Sequence, residues 1–172
     1  MPQALSVLVS LLLWTTACRA PEGDQPLPAE NQVAVRVEAV ALDPQTRGPV
    51  VILEEIAGSR RLPIWIGHAE AASIDNRLRE RETIRPNSHD LAKRLVDGLG
   101  GEVMRVVVTD LEGGIYYARI VLRSAGRTVE IDARPSDAIA IALRTRAPLF
   151  VTEPLFARAI EGDSNAETTK RI

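Results

Sequence analysis

The 172-residue sequence predicts an α+β domain of antiparallel hairpins with helices, and three observations predict it. Short segments of alternating apolar and polar residues are separated by tight turn signals, leaving no room for repeated crossovers. Helical periodicity appears in only three places, between groups of strands rather than after each strand. The order strand, strand, strand, helix occurs twice, as an internal duplication of a βββα unit would give.

The elements follow in chain order. Val33, Val35, Val37 and Ala39 alternate with Ala34, Arg36 and Glu38, the period-2 pattern of a half-buried strand. Asp43-Pro-Gln-Thr-Arg-Gly48 is turn chemistry. Val50 to Ile56 is a second, more buried strand, and Arg61 to Ile66 a third after the Gly58-Ser turn. A helix is expected from about Ala69 to Glu82, broken by Arg85-Pro-Asn, and Ser88 is expected to cap the next. In that second helix Leu91, Leu95 and Leu99 repeat every four residues, and Ala92 and Val96 widen the stripe. Gly100-Gly101 ends it.

Val103 to Asp110 and Ile115 to Arg123 form a hairpin around Glu112-Gly-Gly114, and Ala125-Gly-Arg127 turns into another strand, Val129 to Ala133. Pro135 stops that strand, Ser136 and Asp137 can cap, and Ala138 to Leu143 reads as a helix buried nearly all round. Pro148 to Thr152 is short and β-like. Setting Glu70 over Asp137 aligns the halves, with Ile64 on Ile131, Ala71 on Ala138, Ile74 on Ile141, Arg77 on Arg144 and Arg79 on Arg146.

Residues 1–17 carry no charge and hold an apolar run from Ala4 to Trp14, which reads as an export signal ending in Thr15-Thr-Ala17. Cys18, the only cysteine, then stands where a lipoprotein carries its acyl chain, although the first residues lack Lys or Arg and Thr15 replaces the usual Leu. The chain is therefore expected outside the cytoplasm, as a membrane-anchored lipoprotein through lipidated Cys18 or as a periplasmic or secreted protein. Residues 18–32 form a Pro-rich linker, 33–156 the domain and 157–172 a polar tail.

One cysteine excludes an intrachain disulfide and a thiolate metal cage, and two histidines exclude a multi-histidine zinc site. The net charge of −2 lacks the global basic field common in phosphate binders. The 19 arginines against 2 lysines suit phosphate recognition, and equally a GC-rich coding bias.

The most informative stretch runs from Val129 to Arg144 and crowds two carboxylates (Asp132 and Asp137), the Arg134 guanidinium and the Ser136 hydroxyl around one helix N-terminus. Asp132-Ala-Arg-Pro-Ser-Asp-Ala-Ile-Ala140 leading to Ala147-Pro148, with Leu62-Pro-Ile-Trp-Ile-Gly67, Ser88-His-Asp-Leu91 and Val106-Val-Val-Thr-Asp-Leu111, resembles the bifunctional nuclease domain family over roughly residues 33–156. The resemblance implies a compact, self-associating α+β domain, a homo-oligomer such as a dimer, with a nuclease activity on DNA and RNA.

Phosphodiester cleavage commonly uses Mg²⁺ or Mn²⁺ held by carboxylates. Asp132 and Asp137 are the candidate catalytic pair, with Glu130 as an addition, and Asp132, Asp137 and Asp110 are the candidate metal ligands. Arg134 and Ser136 are candidates to bind a substrate phosphate. A structural reading stands beside this one, with Asp137 facing the helix dipole, Ser136 capping and Arg134 paired with Asp132. His68, and His89 with Asp90, are further acid–base candidates, each explained as simply by helix-start chemistry. The expected function is metal-assisted hydrolysis of DNA or RNA by an exported protein. The alternative is a non-catalytic envelope module that binds a partner and forms a homo-oligomer.

Overall fold

The computed structural model describes residues 31–158. Seven strands form one mixed sheet in the order β3-β2-β1-β7-β4-β5-β6. The elements are β1 (Gln32–Leu42), β2 (Pro49–Glu55), β3 (Arg61–Trp65), α1 (His68–Leu78), α2 (Ser88–Gly98), β4 (Glu102–Glu112), β5 (Ile115–Ser124), β6 (Arg127–Ala133), α3 (Pro135–Thr145) and β7 (Leu149–Thr152). The expected α+β class with antiparallel hairpins is observed. Two meanders, β1–β2–β3 and β4–β5–β6, run outwards from the centre, and each is followed by a helix, α1 or α3. β7 lies between them, antiparallel to β1 and parallel to β4.

Local chemistry accounts for the hairpins. Asp43 Oδ1 accepts from the backbone N–H groups of Gln45 and Thr46, both at 2.8 Å, closing the β1–β2 turn. Gly113 and Gly114 both have positive φ (57° and 82°), as a two-residue turn matching strand twist requires. The β5–β6 turn makes the same demand of Ala125 and Gly126, at φ 49° and 75°.

The helices cover one face of the sheet. Val35, Leu53, Ile64, Val106, Ile120 and Val151 contribute to a core closed by Ile74 of α1 and Ile139 of α3. α3 is the central helix, packed against both α1 and α2 and against β4 and β5. Its Ala138, Ile139, Ala140 and Ala142 are buried, so the expectation of an enclosed helix is met. Residues 153–158 make a short helical turn, held by Arg60, which bonds Glu55 and Glu153 and stacks 4.8 Å from the Phe156 ring centroid.

Three sequence expectations change. α1 ends at Leu78 rather than Glu82, because Glu80 takes a left-handed conformation (φ 52°) that stops the helix. α2 is capped by Asn87, not Ser88, through a reciprocal box in which Asn87 Oδ1 accepts from Asp90 N and Asp90 Oδ2 accepts from Asn87 N. α3 starts at Pro135 with Arg134 as its N-cap, so Ser136 and Asp137 lie inside the first turn and neither caps it. The leucine stripe of α2 lies outside the core: Leu91, Leu95 and Leu99 are all exposed, and His89 is the buried residue of that helix. The expected signal, Cys18, most of the linker, and the tail beyond Arg158 lie outside the described residues.

Candidate functional site

Three helices begin at one place. The first turns of α1, α2 and α3 bring Glu70, His89 and Asp137, with Asn87 and Arg134, to the wall of a concavity of about 330 Å³. Each helix has an acid at its third position (Glu70, Asp90 and Asp137), where the dipole favours negative charge. Two of these acids converge on Arg134. Its Nε donates to Asp137 Oδ2 at 2.7 Å, and its Nη2 donates to Asp137 Oδ1 at 2.9 Å and to Glu70 Oε1 at 2.8 Å. Nη1 makes no hydrogen bond among the described residues, and the side chain is 66% exposed, so two N–H donors face the concavity or solvent.

Glu70 and Asp137 are the residues that the alignment of the two halves superposes. They meet across Arg134, where sequence reasoning paired Arg134 with Asp132. Glu70 folds back over its own helix start, and a Cβ on Gly67 would stand 2.2 Å from Glu70 Oε2. Its own backbone N–H, and then Arg134, hold the Glu70 carboxyl below the ordinary range. Burial pushes Asp137 upwards, but hydrogen bonds from Arg134 and His89 outweigh it and the carboxyl is also lowered. Both are ionised at neutral pH.

Behind this pair lies a buried polar chain. His89 Nε2 is 3.1 Å from Asp137 Oδ1, and His89 Nδ1 is 2.9 Å from Ser73 Oγ. Ser73 Oγ also accepts from Asn87 Nδ2 and Arg144 Nη2, each at 2.9 Å. Arg144, whose side chain is 6% exposed, donates further to Asp90 Oδ1 at 2.6 Å and to the Ala140 carbonyl at 3.0 Å. Burial of Asp90 is outweighed by the Asn87 backbone N–H and Arg144, and its carboxyl is lowered too. Ser73, Asn87 and Arg144 were not singled out as site residues from the sequence. Asn87-Ser-His-Asp90 is a capping-box pattern that could have pointed to Asn87.

A second trough, of about 460 Å³, adjoins the first and shares Asn76 and Thr83 as walls. Arg77, Arg81, Lys93 and Arg94 line it, against Glu82 and Asp90. These four cations are thus gathered on one side of the carboxylate cluster.

The expected trio of Asp110, Asp132 and Asp137 does not form one site. On β6, Ile131 faces the helices with its partner Ile120, so Asp132 and Glu130 point to the other face of the sheet. There Asp132 lines a separate concavity of about 400 Å³ with Asp110, Glu112, Tyr117 and Arg119. Asp110 is paired with Arg158, and its carboxyl is lowered first by the Leu111 backbone N–H and then by Arg158. Glu130 is bonded by Arg119 at 2.9 Å, with its side chain 4% exposed. Ser136 is buried beneath the α3 start and is not among the residues lining the Arg134 concavity. Asp137 and Arg134 are therefore the predicted site residues brought together. Among the described residues no three His, Cys, Asp or Glu side chains are grouped to hold a metal ion, and Asp110, Asp132 and Asp137 do not fit as one ligand set.

Fold and site together define a mixed-sheet α+β domain with an arginine–carboxylate cluster beside a basic trough. The sequence profile of the bifunctional nuclease domain matches residues 51–162, and the chain belongs to that family. An uncharacterized protein of Mycobacterium tuberculosis is 38% identical over 141 residues, which cover 80% of this chain and 84% of that protein. Bifunctional nuclease 1 of Arabidopsis thaliana is 32% identical over 111 residues, and Bifunctional nuclease 1 of Oryza sativa subsp. japonica 30% over 105. Those segments cover 62% and 59% of this chain but only 34% and 32% of the plant proteins, so the chain spans about a third of their length.

Proposed function

We propose that this protein binds nucleic-acid backbone in the trough of Arg77, Arg81, Lys93 and Arg94 and hydrolyses a phosphodiester at the Glu70–Arg134–Asp137 cluster. The observation that carries the reading is the adjacency of the two concavities through Asn76 and Thr83. Cations along the trough hold successive phosphates. The open Nη1 of Arg134 takes a non-bridging oxygen of the scissile phosphate and balances the charge that develops there. Glu70 and Asp137, both anionic, accept hydrogen bonds from the attacking water and orient it. Family membership supports the same chemistry.

Mg²⁺ or Mn²⁺ assistance is part of the proposal as a requirement to be measured. Export, a lipid anchor on Cys18 and self-association also belong to it, on the sequence features and family resemblance that suggested them. The alternative, a non-catalytic envelope module, draws support from one observation: each carboxylate of the cluster already has a guanidinium partner.

The test is degradation of end-labelled single-stranded DNA and RNA by the purified chain, with Mg²⁺, with Mn²⁺ and with EDTA. Glu70→Gln, Arg134→Gln and Asp137→Asn are each expected to lower the rate at least a hundredfold. Equal trace rates for wild type and all three variants would leave the non-catalytic reading. Incorporation of a radiolabelled lipid precursor into wild type but not Cys18→Ala decides the anchor.

A further inference from the structure

The stripe on α2 is an apolar surface that the protomer leaves open. Leu91, Leu95 and Leu99 are 53%, 57% and 80% exposed. Successive members of an i, i+4, i+8 series advance only about 40° round a helix, so the three form one narrow ridge. The four charged residues of the helix, Asp90, Lys93, Arg94 and Asp97, centre roughly 150° away from it. The ridge continues onto the sheet. A Cβ on Gly101, just past α2, would lie 3.5 Å from Leu122 Cδ1, and Leu122 is paired with Val129 of edge strand β6. Val129 and Ile131 lie on the helix face of that strand and are each 43% exposed. Five large apolar side chains thus border one edge of the molecule, where a soluble protein rarely leaves such a patch uncovered.

We infer that this face is where two copies of the chain meet, with α2 packed antiparallel against α2 about a two-fold axis at Leu95. The helix is self-complementary about that residue. Leu91 falls opposite Leu99 of the second copy, Leu95 opposite Leu95, and Ala92 opposite Gly98, so the small residues let the backbones approach while the leucines interdigitate. The charge-free ridge offers nothing to a polyanion, which sets this surface apart from the basic trough on the other flank of α2.

Residues 19–30 and those after Arg158 are poorly suited to the place. Asn31 and Arg158, the ends of the described chain, lie near Thr152 and Asp110, whereas Val129 is towards the opposite end of β6 from Ala133, whose partner Ala118 follows Tyr117 opposite Asp110. The sequence after Arg158 is mostly polar, and residues 19–30 hold a single leucine among prolines and charges. The inference concerns a surface and stands whether or not the protein is a nuclease. It gives the expected self-association a place and a register.

Sedimentation velocity on the full chain, in a detergent that keeps its N-terminal apolar run dispersed, reads the outcome. Wild type is expected at twice the chain mass. Leu95→Glu is expected to raise the dissociation constant about thirtyfold or more, as losing a central contact does, with unchanged circular dichroism because the residue is exposed in the protomer. Leu95→Cys in a Cys18→Ala background is expected to form an oxidised dimer across the axis, and Leu42→Cys, also exposed, is not. A monomeric wild type, or a dimer that neither responds to Leu95→Glu nor cross-links through Leu95→Cys, overturns the inference. Association that persists in Leu95→Glu assigns the contact to another part of the chain and overturns it equally.

Discussion

Ser73 fixes the tautomer of His89. Both acceptor positions of its hydroxyl oxygen are taken by groups that can only donate, Asn87 Nδ2 and Arg144 Nη2. The hydroxyl hydrogen must therefore point at His89 Nδ1, which accepts it, leaving the ring proton on Nε2 to be donated to Asp137. The resulting serine–histidine–aspartate series resembles a nucleophilic triad in composition only. The serine oxygen has no lone pair left for attack and is buried, so the series serves to orient Asp137.

A measurable consequence is the state of the imidazole. Nitrogen-15 chemical shifts of His89 at neutral pH are expected to report the Nε2–H form. Ser73→Ala removes the fixing donor and takes an acceptor from part-buried Asn87 and buried Arg144, a loss of about 1–3 kcal/mol. A mixed tautomer population in wild type would contradict the hydrogen-bond assignment.

Arg144 is the structural keystone of the same network. It joins α3 to the α2 cap through Asp90 and to α1 through Ser73, while bonding the Ala140 carbonyl of its own helix. Arg144→Met leaves a partly buried carboxylate without its cation, and the expected loss of stability is about 3 kcal/mol by denaturant titration. Arg144→Lys is expected to recover little, since one ammonium does not span a carboxylate, a hydroxyl and a carbonyl in fork geometry.

The sequence speaks clearly where the physics is local. Asp43 turning on Gln45 and Thr46, the Gly113-Gly114 turn, and the alternation of Val129, Ile131 and Ala133 are each contained within a few residues, and each was legible. The partner of Arg134 was not. Glu70 is 64 positions away, and only the comparison of the two halves hinted that Glu70 and Asp137 occupy equivalent places. The ridge of α2 was legible as an apolar stripe and its exposure was not, because periodicity reports that a face is apolar and not what covers it. Arg144 gave no local signal at all. Its burial follows from Asp90 and Ser73 arriving from two other helices.

Gly67 is expected to tolerate a side chain in fold but not in function. Its φ of −73° suits any residue, so Gly67→Ala should leave the thermal midpoint within a few degrees. The added methyl would meet Glu70 Oε2 and drive that carboxylate off Arg134. Nucleic-acid hydrolysis should fall about as far as in Glu70→Gln, and wild-type activity in Gly67→Ala would remove Glu70 from the site.

Ala125 sits in a left-handed conformation that costs alanine more than it costs glycine, which has no Cβ, or asparagine, whose side chain can hydrogen-bond locally. Its turn faces open space, and a Cβ on neighbouring Gly126 would meet nothing within 4 Å. Ala125→Asn is expected to raise stability by about 0.5–1 kcal/mol in chemical denaturation. No gain would mean that the turn relaxes at little cost in the wild type.

Acid should unfold the protein through its helix starts. Glu70, Asp90 and Asp137 all have carboxyls lowered in the folded state, so the folded form binds fewer protons than the unfolded chain as pH falls. Groups of this sign contribute stability that is fully present above the unfolded carboxylate range near pH 4 and is lost as pH drops through the lowered folded values. Thermal midpoints should be flat from about pH 7 to 5 and fall steadily below about pH 4. Asp137→Asn should flatten part of that fall, since an amide carries no proton to gain. An unchanged acid limb in the variant would mean that the Arg134–Asp137 pair adds nothing to stability.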